Sequence, residues 1–175
     1  MAHEPVFYDC EASALDGVPI EVGWAFIDSD GLMVSAASLV RPPRQWRIEA
    51  RWDPAAEALH GIAIADLLAN GRHTWHIADY MNAALEGREL FSDSPFDEPW
   101  LRRIFEHSGI EPRFTLRRMS ADILIAKRMD SLGLAPTSRD RAIAEAERLA
   151  PRRHRAEADA RRLAMMWALA RATQA

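Results

Sequence analysis

Apolar residues cluster early in the chain into three short β-rich stretches, 5–10, 20–28 and 32–40, set apart by turn residues. Asp16-Gly17 and Ser29-Asp30-Gly31 are the breaks, and Asp-Gly steps of this kind predict a three-stranded meander. Arg41-Pro42-Pro43 ends the third strand, and Asp53-Pro54 then reads as a helix start, with Asp as cap and Pro in the first turn. From there the pattern becomes helical. Short helices are expected over 55–60, 64–69 and 73–85, divided by Gly61 and Gly71, followed by a buried strand at 89–92 and a helix over 95–107 that Gly109 stops. Residues 115–120 read as a strand or an irregular lead into a helix over 121–132; Gly133 and Pro136 break it, and Ser138 is expected to cap a helix to about 149. Pro151 interrupts, and a last helix over 155–172 presents Ala156, Leu163, Met166, Trp167 and Ala170 as its packing face.

The polar residues that break this pattern carry the chemistry. Asp9 and Glu11 lie two apart on the first strand, so they share a face and could hold one cation together. Singly, such a pair is an ordinary strand end, and Asp97, in SDSPFDEPW, an ordinary helix start. His154 and Asp159 sit five apart, placing the histidine at the N-terminal edge of the last helix and the aspartate about one turn further in. Together the five residues could make a metal-binding acid cluster with one base.

The set resembles the DnaQ-like 3′-to-5′ exonucleases of the histidine (DEDDh) subclass, in the RNase H-like superfamily. His154-Arg155-Ala156-Glu157-Ala158-Asp159-Ala160 matches that family's last motif, His-x-Ala-x-x-Asp-Ala, at every defined position. Asp9-x-Glu11 and Phe96-Asp97 match the other two, and Leu59-His60-Gly61-Ile62 is similar to a His-Gly-Ile turn found between them. The resemblance implies a mixed five-stranded sheet flanked by helices, an α/β fold in which strands come first and helices cover them. It implies two divalent metal ions, Mg2+ or Mn2+, with Asp9 bridging them, Glu11 and Asp159 completing one site, and Asp97 serving the second through water. Carboxylates suit these hard cations. His154 would be the general base, since an imidazole titrates near neutrality. Two departures stand out: Ala12-Ser13-Ala14 follows Glu11 where small hydroxyl residues and a glycine approach the substrate's 3′ end, and Asp93 stands where an Asn is usual.

Composition narrows the setting. A chain of 175 residues, 49% hydrophobic, is expected to form a single domain over 1–175. No apolar run reaches membrane-spanning length and no leader pattern is present, so the expectation is a cytoplasmic protein with no membrane partner. The single cysteine, Cys10, lies between the two strand carboxylates and is expected on the opposite face, in the core. The net charge of −4 is uneven: from Arg139 onward nine arginines face five acids, a net +4 that leaves −8 before it. Arg152 and Arg153, next to His154, are candidate contacts for backbone phosphates, together with Ala12 and Ser13 at the substrate's 3′ end. Solvated charge is the plainer reading of the arginine-rich tail as a whole. Trp46, Trp52 and Trp100 are candidates for base stacking, with Trp100 and Trp167 reading better as core and His60 as structural. The activity expected is removal of nucleotides from single-stranded DNA or RNA 3′ ends as 5′-monophosphates. A homodimer and a polymerase partner both stay open. The rivals are a non-catalytic nucleic-acid-binding module on the same fold and a hydrolase of dinucleotides or small phosphoesters.

Overall fold

The structure, a computed structural model, describes residues 4–151 and 154–172. Strands β1 (Val6–Ala12), β2 (Pro19–Ile27) and β3 (Met33–Leu39) form the expected antiparallel meander, and β4 (Glu89–Phe91) and β5 (Thr115–Leu116) extend it in parallel on the other side of β1. The order β3-β2-β1-β4-β5 is the mixed five-stranded sheet of the RNase H-like fold. The helices are α1 (Pro54–His60), α2 (Ile64–Asn70), α3 (Thr74–Leu85), α4 (Asp97–Ser108), α5 (Ala121–Ser131), α6 (Pro136–Leu149) and α7 (Ala156–Ala172).

Strand alternation sorts the side chains of β1 and β2 into two cores. Val6, Tyr8 and Cys10 join Ile20, Val22, Trp24 and Phe26 beneath α3 and α4, while Phe7 and Ala25 face Ala160, Leu163, Ala164 and Trp167 of α7. Cys10 is therefore in the core opposite Asp9 and Glu11, as its position predicts, and burial pushes its thiol well up, away from reactivity. No helix among the described residues is long and apolar enough to cross a membrane.

Local chemistry explains most element ends. Asp53 caps α1 by accepting the Ala55 N–H at 2.8 Å, with Pro54 at the first position, and Gly61 closes the helix at φ 68°. Helix α6 departs from expectation: it begins at Pro136, so Ser138 lies inside its first turn and does not cap it. Proline at the first helical position needs no N–H partner and has its φ already set, which moves the start two residues earlier. The segment between Pro43 and Trp52 is ordered as two 3-10 turns, Arg44–Trp46 and Ile48–Arg51, that seat Trp46 and Ile48 in the core.

One glycine decides how closely α7 meets the sheet. A Cβ on Gly23 of β2 would stand 2.3 Å from the Glu157 nitrogen and 2.4 Å from the Ala156 carbonyl carbon. Only a residue without a side chain lets the start of α7 lie on the strand here. Gly23 pairs with Asp9 across the β1–β2 ladder, so this contact brings the last helix down beside the first acidic residue.

Candidate active site

Asp9 and Glu11 project from β1 on the α7 face, with Asp9 buried and Glu11 partly exposed. Asp97, 1% exposed, is the first residue of α4, reached from β4 through a tight turn. Ser92 ties that turn together. Its hydroxyl donates to Asp97 Oδ2, and its oxygen accepts the Ser94 N–H at 3.0 Å. Asp159 lies in the first turn of α7 and is likewise buried, and His154 sits just before that helix, half-buried.

The donor atoms of these residues fall into two groups. Glu11, His154 and Asp159 offer ligand atoms within 4.8 Å of one another, and so do Asp9, Asp93 and Asp97. Asp9 joins the groups: burial first, then the charges of Asp97, Glu11, Asp159 and Asp93, hold its carboxyl well above the usual carboxylate range. Four acids repelling a fifth in a buried setting is the electrostatics of a cation site. Apart from the His154 ring, the donors are oxygens, which suits hard divalent cations.

All five residues of the sequence-based set are thus brought together. Arg152 and Arg153 lie outside the described residues. Ala12 is buried, and so is Ser13, whose side-chain oxygen accepts the Val18 N–H at 3.0 Å while its carbonyl accepts the Asp53 N–H at 2.8 Å. These bonds tie the end of β1 to the following turn and to the start of α1. Trp46 is buried against the edge of the His107 ring, and Trp52 donates its indole N–H to Glu57 at 2.5 Å. Trp100 is partly buried and stacks on Phe96, which is itself exposed directly before Asp97. Trp167 is in the α7 core against Phe7. His60 is buried, its Nδ1 accepting the Ile62 N–H at 3.0 Å, and burial lowers its pKa and keeps the ring neutral.

Sequence reasoning marked Asp93 only as a departure. The structure sets it among the acids and pairs it with Arg162 of α7, whose Nη2 lies 3.0 Å from its Oδ2, both side chains nearly buried. The signal was there to find: Arg162 stands three residues after Asp159, on the same side of α7, where a charge needs a partner. Glu21, a buried charge inside an apolar strand, was also passed over.

No family model and no curated protein sequence matches this chain. Solved structures do. The zinc-bound complex of E. coli exonuclease I with single-stranded DNA aligns at 16% identity and TM-score 0.63, over 98% of this chain and 41% of that one. Apo exonuclease I aligns at 15% identity and TM-score 0.65, over 98% and 42%, and the E. coli enzyme with a 5cy-dA13 oligonucleotide at 16% and 0.64, over 97% and 40%. The chain spans about two fifths of the length of these proteins. Across that span it has the fold of exonuclease I.

Proposed function

We propose that this chain is a metal-dependent 3′-to-5′ exonuclease of the DEDDh type, acting on single-stranded ends and releasing nucleoside 5′-monophosphates. The observation that carries this reading is that Asp9, Glu11, Asp97 and Asp159, from β1, α4 and α7, form two adjoining groups coupled through Asp9, with His154 in one of them. Two divalent cations, Mg2+ or Mn2+, would align the attacking water and stabilise the departing oxygen when bound there. Asp9 would be shared between them, with Glu11 and Asp159 on one side and Asp97 on the other. His154 accepts the proton of the attacking water, its ring within reach of the same space as Glu11 and Asp159. Ala12 and Ser13, where β1 ends, would line the path of the substrate's 3′ nucleotide. Arg152 and Arg153 supply phosphate contacts just ahead of the histidine. The exonuclease I chains sharing this fold were solved with single-stranded DNA and with 5cy-dA13, which favours DNA ends.

The test is incubation of the protein with 5′-labelled single-stranded DNA and RNA of one sequence, with and without Mg2+ or Mn2+. Stepwise shortening from the 3′ end, only with metal, is expected. Absence of metal-dependent shortening, or shortening from the 5′ end, overturns the reading, while cleavage restricted to dinucleotides would assign the site to small phosphoesters.

A further inference from the structure

The chain that leaves His154 is anchored to the sheet. The residue has φ 49°, in the left-handed region that side-chain-bearing residues rarely adopt, so its surroundings must impose the conformation. Glu21 of β2, 3% exposed, accepts Arg155 Nη2 at 2.6 Å on Oε1, and both Arg155 Nε at 3.0 Å and the Ala156 N–H at 2.9 Å on Oε2. One buried carboxylate thus takes a forked guanidinium and the first N–H of α7, the geometry in which arginine pairs are most directional.

Glu21 is also the cross-strand partner of Glu11, and residues directly opposite on antiparallel strands share a face. The anchor that holds the backbone after His154 is therefore one rung from a member of the acid cluster. We propose that Glu21 is the positioning residue for His154, working through Arg155 and the Ala156 N–H to hold the ring beside Glu11 and Asp159. Arg155 has a second effect: it neutralises Glu21, so a further negative charge is not added next to the cluster. The proposal rests on His154 acting as the proton acceptor of the exonuclease reading, and its test separates the two.

The substitutions are Glu21→Gln, which keeps volume but turns an amide N–H toward the guanidinium, and Arg155→Lys, at a half-exposed side chain whose truncation leaves no buried cavity. Each is combined with His154→Ala, and kcat and KM are measured with Mg2+ and a single-stranded oligonucleotide. Each single variant is expected to lower kcat by about tenfold or more with KM little changed, and to cause no further loss in the His154→Ala background. Equal losses in both backgrounds overturn the proposal, because a merely structural defect would multiply. A second readout uses ¹³C-histidine protein and Mn2+, which broadens ring signals lying near the bound ion. Weaker broadening of the His154 ring in either variant than in the unsubstituted protein supports Glu21 as its positioner, and unchanged broadening overturns it. Should His154→Ala leave kcat untouched, the general-base role fails, and the broadening still decides what Glu21 does.

Discussion

At the scale of single residues, the acid cluster trades stability for a cation site. Asp9 has its pKa raised by burial and by four neighbouring carboxylates, so its contribution to stability is present below the ordinary carboxylate pKa and lost as pH rises through its folded value. With metal stripped by chelator, the protein is expected to lose stability from acid towards neutral pH, and Asp9→Asn to melt at a higher temperature than the unsubstituted chain at pH 7. Adding Mg2+ should raise the melting temperature of the unsubstituted protein more than that of the variant, and Asp9→Asn or Asp159→Asn should abolish turnover. Near-normal nuclease activity in either variant would remove the assigned site. His154→Ala should lower the rate by roughly 10²- to 10⁴-fold, the span usual for a general base. Calorimetry should show its metal affinity retained; loss of binding together with activity would make the histidine a ligand.

At the scale of elements, the site depends on how α7 sits on the sheet. Its start lies against Gly23, its first N–H is taken by Glu21, and Asp159 follows within one turn. Gly23→Ala would drive a methyl into backbone that has no flexible end to yield, lifting α7 and moving Asp159 from Asp9. A destabilisation of about 1–3 kcal/mol, the usual cost of overpacking, is expected in urea unfolding, with weaker metal binding by calorimetry. A variant with unchanged stability and affinity would show that the helix can shift without disturbing the acids. The turn after β4 is the other element-level device: Ser92 ties Asp97 to the Ser94 backbone, so the fourth acid is fixed by side-chain hydrogen bonds before α4 begins.

At the scale of the whole molecule, charge is divided. A net −8 lies before Arg139 and a net +4 from there onward, where Arg152, Arg153, Arg155 and Arg162 are all found. Replacing Arg152 and Arg153 together by alanine should weaken binding of single strands and flatten the dependence of log affinity on log salt, since fewer counterions are released. The rate at saturating substrate should change less than the affinity. An unaltered slope would leave those two arginines as solvated charges.

Local information in the chain determined the strands, the turns and the Asp53-Pro54 helix start, because each depends on neighbours a few positions away, while the five candidate site residues were marked by their resemblance to family motifs. The side of the strand was legible too: period two puts Asp9 and Glu11 together and sends Cys10 to the core. What stayed hidden was which elements lie side by side. Asp97 reaches Asp9 only because β4 pairs in parallel with β1, and alternation names the face of a strand without naming its neighbour. For the same reason the sequence marks Asp93 only as a departure, its partner Arg162 lying far along the chain, and gives no sign of Glu21's role, which depends on Arg155 and Ala156. Burial of a charge is tolerable only with partners in place, and those partners come from sequence positions that tertiary packing alone brings together.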